Sequence, residues 1–277
     1  MSGGSIVRRT VTRVSVGGTQ CVEDAIAVES PLEIRIDGRA VSVTLRTPGH
    51  DGLLAMGFLA GEGLIRRRQD VTAVAERPAE CEDQPDIVDL RLAPGVALDW
   101  SRLERHFAAT AACGLCGRAH LESLRIGLRK LPPGPVIDPA AIGVLPDRLR
   151  PAQATFAETG GLHGAVWCDG SLAPQALFED VGRHNAVDKV AGDLLDRGRY
   201  PAGAGVLWVS GRAGAEIVIK AARAGIPVLA AVGAPSSLAV SLAESAGLTL
   251  IGFLRNGRFN VYCCEERLKS ARPPIVP

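Results

Sequence analysis

Residues 205–254, GVLWVSGRAGAEIVIKAARAGIPVLAAVGAPSSLAVSLAESAGLTLIGFL, decide the fold. Apolar runs of strand length at 205–210, 226–232 and 248–254 alternate with longer stretches at 214–224 and 236–246, which read as helices. Just upstream, a helix over 182–197 sets Val187, Val190, Ala191, Leu194 and Leu195 along one face. Gly198, Gly225 and Gly247 lie just past these three helices, where a left-handed cap favours glycine. Strands at 164–168 and 177–180 precede the run, after a helix over 146–157. Strand–helix alternation of this kind predicts an α/β fold, with a largely parallel sheet and helices on both faces.

Residues 131–139, LPPGPVIDP, are rich in proline and read as a linker. Before them the character differs. Leu32-Glu33-Ile34-Arg35-Ile36 alternates apolar and polar, Asp37-Gly38 supplies a hairpin turn, and Val41-Ser42-Val43-Thr44-Leu45 alternates again. Pro48-Gly49-His50-Asp51 breaks the pattern, a helix follows with Leu53, Leu54, Met56, Phe58 and Leu59 on a broad apolar face, and Gly61-Glu62-Gly63 ends it. Residues 87–92 form a further strand. The first segment is therefore a small strand-rich α+β unit.

The 277 residues, 47% hydrophobic and 22% charged, suffice for one large domain or two modest ones. A formal charge of +1 excludes attachment to nucleic acid or membrane by bulk charge, although a local basic patch is compatible with it. No apolar run reaches the ~18 residues of a membrane helix. The opening MSGGSIVRRTVTRV has arginines with no apolar stretch behind them, unlike a secretory signal. Seven cysteines are an odd number and too sparse for a disulfide scaffold, so a cytoplasmic chain with reduced thiols is expected.

The sharpest local feature is Cys113-Gly114-Leu115-Cys116-Gly117-Arg118. A closed structural zinc site needs four ligands, and the remaining cysteines supply no second pair at this spacing. Two buried cysteines acting as small apolar residues would not call for flanking glycines. The third reading is a reactive dithiol. Leu121, Leu124 and Leu128 mark a short helix over 118–128, so the cysteines precede its N-terminus, where free amides and Arg118 favour a thiolate. A thiolate can exchange disulfides or carry a sulfane sulfur, and a lone CxxC does not choose between them.

A second cluster, EDVGRHNAVDK at 179–189, places two carboxylates at a strand end before a glycine turn into a helix. His184 and Asp188 share a helix face, as an acid/base or orienting pair or as a capping cluster in which Asp180 caps the helix and Asp188 stabilises a charged His184. His163 opens a strand between glycines, as a partly buried histidine or a site residue. Glu216 and Lys220 have the spacing of an exposed ion pair. Ser210-Gly211-Arg212-Ala213-Gly214 and Ala234-Pro235-Ser236-Ser237 each put free amides at the end of a parallel strand, where a phosphate could sit. Neither is a Walker or GxGxxG pattern. Phe253, Leu254, Arg255, Asn256, Gly257 and Arg258 offer an aromatic face, two arginines and a turn, a combination that holds a base and a phosphate or makes an ordinary Asn-Gly hairpin. Together these segments point to a nucleotide-like ligand.

Taken as a set they resemble the formate dehydrogenase accessory sulfurtransferase family (FdhD). The likeness is carried by ESPL at 29–32, GFLAGEGLI at 57–65, CGLCG at 113–117, TGGLHGA at 159–165 and EDVGRHNAVDK at 179–189. It continues in Ser210, Gly211 and Arg212 with Glu216 and Lys220, APSSLA at 234–239 and LIGF at 250–253, in family order over nearly the whole chain.

The resemblance implies a sulfurtransferase. It takes persulfide sulfur from a cysteine desulfurase and passes it to the molybdenum or tungsten bis(molybdopterin guanine dinucleotide) cofactor, which then enters formate dehydrogenase. Cys113 would carry the persulfide, with Cys116 as second participant. The family's cofactor-binding segment falls on Phe253, Leu254, Arg255, Asn256, Gly257 and Arg258. Ser210, Arg212, Ser236 and Ser237 would help hold the guanine dinucleotide tails, for which a guanine nucleotide is a mimic. His163, His184, Glu179 and Asp180 would line the same strand ends.

The implied fold is a cytidine-deaminase-like three-layer α/β/α domain over 138–277, beside the α+β domain over 1–137 that carries the CxxC loop. The deaminase zinc signature is absent, so neither deamination nor a bound metal is expected. Neither nucleic acid nor membrane is expected as a partner. A homodimer would suit the apolar helices, which covering the sheet uses equally well. The competing readings are a dithiol–disulfide oxidoreductase without a pterin ligand and a cofactor-binding chaperone in which the cysteines are dispensable.

Overall fold

The computed structural model describes residues 4–81, 84–96, 98, 100 and 128–269. Cys113, Cys116 and the helix expected after them lie outside the described residues.

The described chain opens with an antiparallel hairpin, β1 (Ile6–Ser15) and β2 (Gly18–Ala27), turned at Val16-Gly17. β3 (Ser30–Ile36) and β4 (Arg39–Arg46) form the expected second hairpin. The helix α1 (Asp51–Glu62) follows, closed by Gly63 at φ 78°. β5 (Val71–Arg77) and β6 (Asp86–Leu92) complete a four-stranded sheet in the order β4-β3-β6-β5. Leu32, Ile34 and Ile36 alternate inward and pack with Leu54, Ala55 and Leu59 of α1. The β1–β2 hairpin and β5 gave no clear sequence signal, because most of their side chains are exposed on both faces and carry no apolar alternation.

Residues 131–137 are extended but are not a free linker. Leu131 and Ile137 are buried, and Leu131 N–H donates to Ala246 O at 2.8 Å. After a short helix α2 (Pro139–Gly143), the single helix expected over 146–157 is instead two short ones, α3 (Leu145–Leu149) and α4 (Ala154–Thr159), with a 3-10 turn between them. Pro146 suits the first turn of α3, whereas Pro151 has no N–H to continue it.

A six-stranded sheet then forms in the order β12-β11-β10-β9-β7-β8. Its members are β7 (His163–Cys168), β8 (Pro174–Asp180), β9 (Val206–Val209), β10 (Val228–Ala231), β11 (Thr249–Arg255) and β12 (Arg258–Cys263). The helices α5 (Arg183–Asp196), α6 (Ala215–Arg223) and α7 (Ser237–Ala246) connect its strands. The chain is α/β as expected, but the sheet is mixed. β9, β10 and β11 pair in parallel, while β7 pairs antiparallel with both β8 and β9, and β12 runs back along β11. The β7–β8 and β11–β12 connections are too short for a parallel crossover, which needs a dozen residues or more.

Alternation along β9 shows the layers. Leu207 and Val209 face α5, α6 and α7, whereas Val206 and Trp208 face Ile142, Leu145 and Leu149 of α2 and α3. The apolar faces of α5–α7 are thus buried against the sheet within one chain. Leu195 of α5 joins the core of the four-stranded sheet, so the two halves share buried surface. Among the described residues no helix is long and apolar enough to cross a membrane.

Candidate functional site at the strand ends

The carboxyl ends of β8, β9, β10 and β11 and the start of β7 meet along one edge of the six-stranded sheet. Backbone hydrogen bonds join them in a row. Ser210 N–H donates to Gly164 O (2.9 Å), Gly233 N–H to Gly211 O (2.9 Å) and Phe253 N–H to Gly233 O (3.1 Å). Ala213 N–H donates to Ala234 O and Ser236 N–H to Ala213 O, both at 3.2 Å. The residues singled out at 163, 210–214, 234–236 and 253 are thereby neighbours. α5 and α6 begin at this edge with Gly182 and Gly214 as N-caps and no side-chain cap, which leaves their first amides available.

Ser210 is half-buried, and its hydroxyl accepts Gly164 N–H at 2.9 Å. Arg212, Ser236 and Ser237 are exposed. Ser236 caps α7, accepting Ala239 N–H at 3.2 Å. Phe253 is 39% exposed at φ 54°, beside a break in register between β11 and β12. Leu254 is fully buried and packs into the core with Val206, Val228 and Ile251, so it offers no open surface to a ligand. Arg255, Asn256, Gly257 and Arg258 are exposed at the tip of the β11–β12 hairpin, with Asn256 and Gly257 at φ 52° and 71°. This is the Asn-Gly turn itself. It leans on α2, where a Cβ at Gly143 would stand 3.2 Å from Gly257 O. The structure brings Phe253 to the strand-end row and carries Arg255–Arg258 on past it.

His163 is half-buried, with its Nδ1 3.3 Å from where a Cβ on Gly211 would be. Burial, then the neighbouring Arg183 guanidinium, holds its pKa below the ordinary 6.5. Arg183 has a buried Nε without a hydrogen-bond partner. His184 has Nε2 3.2 Å from Glu216 Oε2. Burial first, and then Arg183 and Lys220, push its pKa down to about 3, so this is a neutral ring beside a carboxylate rather than an ion pair. A histidine NMR titration is expected to show His184 neutral through the mildly acid range, and a transition near 6.5 would contradict that assignment. The native state binds this proton later than the unfolded chain, so the contribution of His184 to stability is lost as pH falls from 6.5 towards 3.

The rest of the 179–189 cluster is structural. Asp180 is fully buried, and its carboxylate lies 2.7 Å from Lys189 Nζ. It also accepts Thr47 N–H (3.2 Å), Gly182 N–H (2.8 Å) and Asn185 Nδ2 (3.0 Å). Lys189 donates to Thr47 O at 3.0 Å and Asn185 to Leu45 O at 2.8 Å, which locks the end of β4 to the end of β8. Glu179 accepts the first amides of α4, from Thr155 at 3.0 Å and Phe156 at 2.7 Å. Asp188 pairs with Lys220 at 2.6 Å in a buried contact, not with His184. Hence Glu216 and Lys220 are not an exposed pair, because each reaches across to α5. Spacing on one helix could not show a partner on another. Arg46, fully buried, binds Asp51 at 2.6 Å and Asp86, and fixes the start of α1. No sequence pattern marks it, because its carboxylates are 5 and 40 residues away.

The sequence model of the FdhD/NarQ family matches residues 27–269 of this chain. The sulfur carrier protein FdhD of Anaeromyxobacter sp. (strain K) is 50% identical over 282 residues, covering 98% of this chain and 96% of its own. That of Mycobacterium tuberculosis is 46% identical over 277 residues, covering 96% and 99%. A crystal structure from Desulfotalea psychrophila, of a protein provisionally described as a formate dehydrogenase accessory protein, matches with a TM-score of 0.74 and 25% identity. That match covers 95% of this chain and 99% of the other.

Proposed function

This chain belongs to the FdhD/NarQ family, and from that premise we propose that it is a sulfur carrier serving the maturation of formate dehydrogenase. The observation that carries the reading is the near full-length identity of 46–50% to proteins named sulfur carriers, in a chain that holds a glycine-flanked CxxC at Cys113 and Cys116.

In this reading the Cys113 thiolate attacks the outer sulfur of a persulfide on a cysteine desulfurase. A new S–S bond forms at Cys113 Sγ, the donor's own S–S bond breaks, and the donor leaves as a thiolate. Cys113 then bears the terminal sulfur. If Cys116 attacks Cys113 Sγ, the outer sulfur departs as hydrosulfide and a disulfide remains, so release needs no outside reductant. The acceptor, and so the substrate, is the molybdenum or tungsten bis(molybdopterin guanine dinucleotide). The strand-end row supports a site for its guanine dinucleotide portion. The first amides of α5 and α6 and the exposed Arg212 suit one phosphate, Phe253 offers a half-open aromatic face to a base, and the exposed Arg255 and Arg258, past the row on the β11–β12 turn, suit a more distant phosphate of the same long ligand. The setting is the cytoplasm, where the thiols stay reduced. The donor desulfurase and the client dehydrogenase are its protein partners.

The test is to incubate the reduced protein with a cysteine desulfurase and cysteine and to record intact and peptide masses. One added sulfur on the 113–116 peptide is expected, absent in Cys113→Ala, together with loss of the variant's support for formate dehydrogenase in cells. A peptide that stays unmodified sinks the relay. Full support by Cys113→Ala would favour the chaperone reading, and reversible disulfide formation without guanine nucleotide binding would favour the oxidoreductase.

A further inference from the structure

Gln153, just before α4, is 3% exposed, and its Nε2 is buried without a hydrogen-bond partner. Its backbone is already engaged, with N–H donating to Arg150 O at 3.1 Å and C=O accepting Ala157 N–H at 2.9 Å. The unspent group is therefore the side-chain amide. A buried amide left unpaired weakens the fold, and its presence in a folded protein asks for a reason.

Its position supplies one. The amide lies directly over Gly164, where an added Cβ would stand 2.1 Å from Nε2. Gly164 is held to Ser210 by two hydrogen bonds, Ser210 N–H to Gly164 O and Gly164 N–H to Ser210 Oγ, both 2.9 Å. Having accepted that bond, the Ser210 hydroxyl keeps its own proton to donate. The Gln153 amide and the Ser210 hydroxyl thus flank one glycine at the strand-end row, beside His163 and the 211–214 turn. Both unspent groups are donors, and the glycine leaves room for the amide.

We propose that Gln153 is a ligand-binding residue of the strand-end site, its amide donating to an oxygen of the bound substrate, either a phosphoryl oxygen or a base carbonyl. The inference rests on the reading that this edge takes a guanine nucleotide portion, and it adds a recognition residue from outside the strand-end loops. It also carries a particular signature. Because the amide is unpaired in the free protein, replacing it with an apolar side chain of similar size removes a penalty from the fold while removing a contact from the ligand.

The experiment is calorimetric titration of the full chain with GDP, inorganic pyrophosphate and guanosine, with thermal melts alongside. Gln153→Leu is expected to bind GDP about tenfold more weakly, the worth of one hydrogen bond of roughly 1.4 kcal/mol, with Tm unchanged or raised. A matching loss for pyrophosphate assigns the oxygen to phosphate, and a loss confined to GDP and guanosine assigns it to the base. Gln153→Glu keeps the shape and removes both amide donors, so it weakens binding as well and serves if the leucine variant does not fold. Wild-type binding with unchanged affinity in a folded variant overturns the proposal, whether or not Tm falls, and leaves Gln153 to packing or to a buried water. No binding of any probe by the wild type overturns the nucleotide reading itself, and this inference with it.

Discussion

Gly57→Ala is expected to lower the melting temperature by at least ~6–12 °C and to cut soluble yield, although the residue touches none of the proposed chemistry. The methyl carbon would stand 1.8 Å from Asp188 O, 2.5 Å from its carbonyl carbon and 2.9 Å from its Cα. Those atoms are backbone inside α5 and have no rotamer to move. A side chain crowded by a new methyl can shift for about 1–3 kcal/mol, but here one helix must lift off the other, so about 3 kcal/mol is a lower bound. Gly192→Ala probes the same crossing from α5, with its Cβ 1.9 Å from Leu53 O on α1, and should be equally damaging. The double variant should cost less than the sum, because one separation of the helices relieves both clashes. Gly170→Ala is the control: the nearest atom to its new methyl would be Pro135 Cγ at 3.9 Å, and a shift within about 0.5 kcal/mol is expected. A Gly57→Ala protein that melts with the wild type would mean that α1 and α5 do not pack as described.

That crossing also shows where sequence reading stops. The stretch 57–65 was legible as the end of an apolar helix, and Gly63 as its cap, because periodicity and left-handed caps are local properties. That Gly57 faces the backbone of Asp188 is a fact about two segments 131 positions apart, and no local pattern encodes it. The alternating half was legible for the same reason: Val206–Val209 and Val228–Ala231 are short apolar runs set between glycines and helices. The direction of β7 and β12 was not, since pairing depends on connection length and on partners elsewhere. At the candidate site, loops at strand ends were readable from the fold rule that ligands gather there. The polar residues beside them were harder to sort. Asp180, Lys189 and Asn185 look like a reactive cluster in sequence and prove to be a clamp on β4, whereas Gln153 carries no motif and emerges only from an unmatched hydrogen-bond donor.

Lys220→Met should be the most pH-sensitive of these substitutions. Lys220 Nζ stands 2.6 and 2.8 Å from the two carboxylate oxygens of Asp188, and both side chains are buried where α1, α5 and α6 meet. Methionine keeps the bulk of the stem and removes the charge, so the variant isolates the ion pair. Breaking a buried pair by deleting one partner costs about 3–5 kcal/mol, because the other charge is left uncompensated. The sign of the pH dependence follows from Asp188. Burial pushes its pKa up from 3.8 to about 6, against the pull of Lys220, so the native state holds a proton that the unfolded chain has released. Stability therefore declines as pH rises between those values, and the decline is complete above them. Without Lys220 the opposing pull disappears, the native carboxyl keeps its proton to still higher pH, and the decline extends further upward. Urea melts should show Lys220→Met close to the wild type near about pH 5 and furthest below it near about pH 8. Asp188→Asn in the same chain should restore most of the loss at the higher pH, since an amide has no charge to strand. A deficit equal at both pH values, or no rescue by the second substitution, would assign the cost to packing around Phe58 and Gly61 instead of to the buried carboxylate.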